Sequence, residues 1–150
     1  MDNTKYYRLN RLANCFSKSF EISLKLSNCE DVRLVHGVIV QDQGFKILHA
    51  WIEIKDVILD MAGNKKTITT KDIYYKKHKI EKVYRYTFLE AVDIATKYCG
   101  AGNQHHGPWE NDLYTVEDVI YHDKFTKSLY TFKNGIKVNF INNIVPINKK

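Results

Sequence analysis

The sequence predicts one α+β domain in which an antiparallel sheet packs on an N-terminal helix. Between residues 14 and 27, apolar side chains recur about every fourth residue, which is the helical period. Between residues 32 and 60, short polar turns separate β-branched segments, and such short connections join antiparallel strands. Near the end of the chain, Asn134-Gly135 between two alternating segments is a strong β-hairpin signal.

The first element is a helix predicted over Asn14–Ser27. Two asparagines could cap it. Asn14 as the cap would place Cys15 in the first turn, whereas Asn10 would place it inside the second turn.

Three strands follow, and the middle one has two readable faces. The predicted strands are Val32–Val40, Phe45–Ile54 and Val57–Asp60, with turns at 28–31, 41–44 and 55–56. His49, Trp51 and Glu53 alternate with Ala50 and its neighbours, so they share one face. We expect Glu53 and Asp56 to be exposed because they lie near a turn.

The second half of the chain contains shorter elements. A break is expected at 62–64, a short helix with Tyr74 and Tyr75 at 70–80, a strand at Val83–Tyr86 and an irregular loop at 101–112. A capping box at Thr87–Glu90 begins a helix that reaches Tyr98 or Cys99 before Gly100. Further elements are a helix at Val116–Phe125 capped by Thr115 and hairpin strands at Ser128–Lys133 and Ile136–Ile141.

Composition indicates a globular protein without membrane spans. The chain has 150 residues, which we assign to one domain (1–150), and it is 44% hydrophobic and 27% charged. Its apolar runs are too short to cross a bilayer and its start lacks a secretory signal, so we expect a cytoplasmic location and no membrane partner. The three cysteines, Cys15, Cys29 and Cys99, form no CxxC pair, which argues against a disulfide framework or a zinc site.

The positive charge is concentrated in two regions. Residues 127–150 contain five lysines and no acidic residue, out of a formal net charge of +6. A second basic stretch runs from Lys65 to Arg85, with eight basic residues against Asp72 and Glu81. Such stretches usually form solvated faces, but a nucleic acid or another anionic partner stays open.

Three residues could together form a site with a cysteine nucleophile, a histidine base and a carboxylate that orients the histidine. Cys15 lies near the start of a helix, His49 in a strand and Asp60 at the end of the next strand. A helix N-terminus and a nearby imidazolium favour a thiolate, and a carboxylate holds the imidazole ring. With a turn centred near Lys55-Asp56, His49 and Asp60 are expected to be close to cross-strand neighbours on one face.

This arrangement resembles the transglutaminase-like cysteine peptidases and acyltransferases, which are papain-like in fold. The matching segments are Ala13-Asn14-Cys15-Phe16, Leu34-Val35-His36-Gly37-Val38, His49-Ala50-Trp51-Ile52-Glu53 and Val57-Ile58-Leu59-Asp60. Leu34-Val35-His36-Gly37, Tyr74-Tyr75 and Gly107-Pro108-Trp109-Glu110 together are similar to small phage-type proteins of this kind. The resemblance implies a transglutaminase-type core over 12–110, with a basic C-terminal extension and its hairpin over 111–150.

The resemblance also implies a function. The chain would be a cysteine-dependent amide or isopeptide hydrolase or acyltransferase acting on a protein or peptide. Cys15 would attack the carbonyl, His49 would carry the proton and Asp60 would orient His49. The backbone N–H of Cys15 could help to hold the oxyanion. Trp51, His36 and Trp109 are candidates for substrate binding, and we expect no cofactor and no metal.

Plainer interpretations stay open for the same residues. Cys15 alone would be a small buried hydrophobe, His49 a packed strand residue and Asp60 a turn residue. Trp51 suits the core better than a substrate platform, and His36 suits a buried histidine. The loop at 105–110 could form a wall over the site or only a packed surface; its adjacent histidines seldom bind one metal ion together. Cys29 and Cys99 are interpreted as structural.

Two other functions remain. The chain could be a non-catalytic viral or host-interaction module that binds nucleic acid or protein through a basic, Tyr-rich surface. It could also be an acyl-CoA-dependent N-acetyltransferase, which uses the same three residue types.

Overall fold

The structure is an α+β domain built on a five-stranded antiparallel sheet. It is a computed structural model that describes residues 15–40, 44–61, 65–99, 106–122 and 129–139. The helices are α1 (Cys15–Lys25), α2 (Lys71–His78) and α3 (Phe88–Cys99), with a 3-10 helix at Asn111–Thr115. The strands of the main sheet are β1 (Val32–Val40), β2 (Lys46–Ile54), β3 (Val57–Asp60), β4 (Thr67–Thr70) and β5 (Ile80–Tyr86). A second sheet contains β6 (Tyr121–His122), β7 (Leu129–Lys133) and β8 (Ile136–Asn139).

The main sheet has the order β4-β3-β2-β1-β5, so β1 and β2 are its central strands. Both are almost fully buried because helices or loops cover each face. One face packs with α1 and α3 through Phe20, Val32, Leu34, Ile52, Tyr86, Ala91, Ala95 and Trp109. The other face packs with α2 through Val35, Trp51, Ile58 and Tyr74. A central strand covered on both sides positions its side chains rigidly, and β2 carries His49.

Several predicted elements are confirmed, along with their local causes. The helix, the three strands and the two hairpins between residues 15 and 60 lie where the periodicity placed them, within one or two residues. The capping box is present: the Thr87 N–H donates to Glu90 Oε1 (2.9 Å) and the Glu90 N–H donates to Thr87 Oγ1 (3.2 Å). Asn134 and Gly135 both have positive φ, as the tight hairpin turn between β7 and β8 requires.

The predicted helix at Val116–Phe125 is wrong over its described part. Val119 forms a parallel bridge with Lys46 at the edge of β2, and the chain then continues into β6. The Lys46 N–H donates to the Asp118 carbonyl (2.9 Å), and the Ile120 N–H donates to the Lys46 carbonyl (2.7 Å). An exposed strand edge offers backbone hydrogen bonds that compete with a helix, and here it takes this segment into the sheet.

Two strands of the main sheet differ from the prediction, and several predictions concern residues outside the described ranges. β4 was not predicted, and β5 begins at Ile80 rather than at Val83. The helix caps Asn10 and Asn14, the turn at 41–43, the break at 62–64, Gly100, His105 and the end of the 116–125 prediction lie outside the described residues.

The first part of the predicted C-terminal extension packs into the main domain. Leu113 and Val119 are fully buried against Val38, a residue of the central strand β1. Leu113 and Val119 therefore tie the segment 111–120 to the hydrophobic core of the domain. In the parts of the chain that the structure describes, no helix is both long and apolar enough to cross a membrane.

Candidate active site

The three residues predicted to carry chemistry meet at one point of the fold. Cys15 is the first described residue of α1, His49 lies in the middle of β2 and Asp60 is the last residue of β3. All three are buried, with exposed fractions of 1%, 1% and 5%. β3 pairs with β2 only at Ile52–Ile54 of β2, so the two strands are no longer paired at His49.

His49 and Asp60 form a buried hydrogen-bonded ion pair. His49 Nε2 lies 2.9 Å from Asp60 Oδ2. The prediction that they share a face is confirmed, but they are not direct cross-strand partners. The observed register, Ile52 opposite Leu59, would bring Asp60 opposite Trp51 if continued by one residue. The ion pair is therefore a diagonal contact, which longer side chains can span.

The second ring nitrogen of His49 is also buried. His49 Nδ1 is buried and has no hydrogen-bond partner among the described residues. Burial lowers the pKa of the His49 imidazole, but electrostatic and hydrogen-bonding interactions with Cys15 and Asp60 outweigh it and raise that pKa to about 10. Cys15 and Asp60 therefore both favour the protonated form of the His49 ring.

Tyr74 is a fourth member of this cluster, and the sequence analysis did not assign it to the site. Its hydroxyl donates to Asp60 Oδ2 at 2.5 Å, and the residue is 1% exposed. Burial and the Asp60 charge raise the pKa of Tyr74, so it stays a neutral donor. Thr70 caps α2 by accepting from the N–H of Ile73, which fixes the turn that carries Tyr74. The Tyr74-Tyr75 pair was visible in the sequence, but its direction toward Asp60 was not.

Trp51 separates the cluster from a second buried carboxylate, Glu53. The prediction that Glu53 is exposed is wrong, because it is 3% exposed, whereas Asp56 in the turn is exposed as predicted. The Glu53 carboxylate contacts the Trp51 indole N–H (3.2 Å), the Tyr75 hydroxyl, Arg85 Nε (2.7 Å) and Lys71 Nζ (3.4 Å). The hydrogen bonds from Arg85, Tyr75 and Trp51 outweigh burial and lower the pKa of Glu53.

The predicted substrate-binding residues are all buried. Trp51 and His36 are fully buried and Trp109 is 6% exposed. His36 and Trp109 contact each other on the α1 side of the sheet, with ring centroids 4.8 Å apart. By the β1–β2 register, His36 pairs with Ala50 and therefore points to the face opposite to His49. Substrate binding by these residues stays a prediction.

The loop before Trp109 closes over His36. Gly107 has φ +123°, and a Cβ there would lie 2.4 Å from His36 Cε1 and 2.9 Å from Phe16 Cδ1. Only glycine allows this backbone to pass so near the two rings. The described part of this loop therefore packs on Phe16 of α1, the residue that follows Cys15.

Part of the basic stretch at Lys65–Arg85 forms ion pairs with acidic residues of the same domain. Lys71 and Arg85 contact Glu53, and Lys82 Nζ lies 3.5 Å from Asp112 Oδ2. Lys76 and Lys77 stay exposed on α2. Within the described ranges, no group of three or more His, Cys, Asp or Glu side chains is placed to hold a metal ion.

Comparison with known proteins identifies no family for this chain. No family model, no curated protein and no solved structure matches this chain.

Proposed function

We propose that this chain is a cysteine-dependent acyl-transfer enzyme acting on an amide or isopeptide, with hydrolysis as its first outcome. The observation that carries the proposal is the buried cluster in which His49 interacts with both Cys15 and Asp60. A transglutaminase-like, papain-like core belongs to the same proposal, since the order Cys, His, Asp along the chain and the helix-then-strands arrangement agree with it.

Each residue has a role that its surroundings support. The Asp60 carboxylate accepts from His49 Nε2, which leaves Nδ1 toward the nucleophile. An imidazolium beside a sulfur favours the thiolate, which is the nucleophilic form. In a buried site this ion pair is screened less than in water.

The reaction would proceed in two balanced steps. The Cys15 sulfur forms a bond to the carbonyl carbon, the carbon–nitrogen bond breaks, and His49 gives its proton to the leaving amine. The acyl-thioester is then attacked by water, whose proton returns to His49, and the thiolate leaves. A primary amine in place of water would give transfer instead of hydrolysis. Because Cys15 is 1% exposed, a substrate carbonyl reaches the sulfur only after a neighbouring group moves.

The first test is the pH dependence of Cys15 alkylation by iodoacetamide, followed by mass spectrometry. Cys29 is a free, exposed thiol in the same molecule and serves as the reference. An ordinary thiol loses about tenfold in rate per pH unit below its pKa near 8.5. We expect the Cys15 rate to change little between about pH 8 and pH 6, and His49→Ala to give it the slope of Cys29. The slope is the measure because burial lowers the absolute rate.

A Cys15 slope equal to that of Cys29 and unaffected by His49→Ala would overturn the proposal. If the slope is as expected, the reaction is tested with a glutamine-rich protein and a fluorescent primary amine. Incorporated amine measures transfer, and released ammonia measures hydrolysis. Cys15→Ser should abolish both, while the matched variant Cys29→Ser should leave them unchanged.

A further inference from the structure

One oxygen atom of Asp60 receives two buried donors. His49 Nε2 lies 2.9 Å from Oδ2, and the Tyr74 hydroxyl lies 2.5 Å from the same oxygen. The two donors come from different elements, β2 and α2, and approach the end of β3. Trp51 packs against both residues, with its ring centroid 5.9 Å from that of His49 and 5.5 Å from that of Tyr74.

We propose that Tyr74 is a positioning residue: its hydroxyl fixes the Asp60 carboxylate and shares the oxygen on which His49 holds its proton. Its consequence for catalysis rests on the proposed function, whereas its effect on His49 does not. A neutral donor on a carboxylate oxygen takes part of the negative charge that would otherwise stabilise the imidazolium. Tyr74 therefore limits how tightly His49 keeps its proton, and a general acid has to release that proton to the leaving amine.

The hydroxyl of Tyr75 provides a natural control. Tyr75 follows Tyr74 on the same helix, and its hydroxyl also donates to a buried carboxylate. That carboxylate is Glu53, on the far side of Trp51 from His49. Loss of either hydroxyl removes one hydrogen bond to a buried carboxylate, but only Tyr74 contacts Asp60.

Two further titratable side chains act on the pair from the helices packed against it. Cys15 acts on His49 from α1. From α2, the half-buried His78 contacts the Tyr74 ring, with centroids 4.5 Å apart, and interacts with the charges of His49, Asp60 and Lys77. Burial lowers the pKa of His78, so it is a neutral neighbour around pH 7 and above. The experiment therefore removes the Cys15 charge and follows His78 separately.

The test is the titration of His49 by NMR of the ring nitrogens, in the full chain carrying Cys15→Ala. This background removes one of the charges that raise the His49 pKa and leaves Asp60 as the main one. Tyr74→Phe should move the His49 titration to higher pH, because Asp60 becomes a stronger acceptor for the imidazolium. Tyr75→Phe should leave it in place. Near-UV circular dichroism of both variants checks that the aromatic packing is kept.

An unchanged or lowered His49 titration in Tyr74→Phe, or an equal shift in both variants, would overturn the inference. With Cys15 present, Tyr74→Phe should retain alkylation at pH 7 while amide turnover falls about three- to tenfold, the value of one hydrogen bond. Failure of the proposed function would look different: Cys15 would alkylate as an ordinary thiol in the wild type, whatever Tyr74→Phe does to His49.

Discussion

Replacing Asp60 by alanine removes the acceptor of two buried donors in one step. His49 Nε2 and the Tyr74 hydroxyl both bond to Asp60 Oδ2, and both residues are 1% exposed, so water does not readily replace the carboxylate. A buried donor left without a partner costs about 1–3 kcal/mol. For two donors we expect Asp60→Ala to lower the free energy of unfolding by about 4 kcal/mol. A typical domain has only about 5–15 kcal/mol in total.

Asp60→Asn separates the lost charge from the lost acceptor. The amide keeps an oxygen at the same distance from the backbone, so we expect a smaller loss of about 1–2 kcal/mol. Asp56→Ala is the matched control, since Asp56 lies in the neighbouring turn and is exposed. Its effect should stay within about 0.5 kcal/mol. Urea unfolding at constant pH measures all three, and equal m-values would confirm that the midpoints report stability.

The result that would refute this reasoning is equal stability of Asp60→Ala and Asp56→Ala. Equal losses for Asp60→Ala and Asp60→Asn would refute the part that assigns the cost to the missing acceptor. The same variants address the site. Asp60→Asn removes a charge that raises the pKa of His49, so it should make Cys15 alkylation fall more steeply toward low pH than in the wild type.

Three further predictions concern stability. Glu53→Ala should cost about 3–5 kcal/mol in urea unfolding because it leaves buried donors unpaired, whereas Glu81→Ala, whose side chain is 47% exposed, should cost less than about 1 kcal/mol. Leu113→Ala should cost about 2–5 kcal/mol if residues 111–120 belong to the core, and Leu89→Ala, 75% exposed, should be near neutral; equal effects would contradict that assignment. The folded-state pKa of His49 lies above the ordinary value, so its contribution is complete below about pH 6.5 and is lost as pH rises through about 10. The difference in unfolding free energy between the wild type and His49→Gln should shrink over that range, and a difference that grows would contradict the sign.

Local signals were enough for much of the fold. The capping box at Thr87–Glu90 and the Asn134-Gly135 turn depend on contacts within a few residues, so the sequence contains the whole cause. The helix predicted after Thr115 was wrong for the opposite reason. Its conformation depends on the free edge of β2 at Lys46, which lies about seventy residues earlier in the chain. Single-segment periodicity has no access to such a partner.

The site was predictable to the same extent. The turn position and strand alternation predicted that His49 and Asp60 are close, with a register that differs by two residues from the observed one. The place of Cys15 beside them was implied by the family resemblance. The prediction for Glu53 was wrong because its side chain lies on the same buried strand face as Trp51, although the residue is close to a turn. The alternation itself was the signal that could have found it. No comparable pattern reveals Tyr74, because a short helix of mixed polarity does not show which carboxylate a hydroxyl will meet.

The decisive question for the cluster is why a buried charge pair is kept. A pair of His49 and Asp60 alone would be weak support for stability, since well-packed apolar residues often replace buried ion pairs at no loss. Here the buried imidazole interacts with Cys15 as well as with Asp60, and both interactions favour its protonated form. On the proposed function the pair has a second use, because a cysteine nucleophile needs a base with which it exchanges a proton.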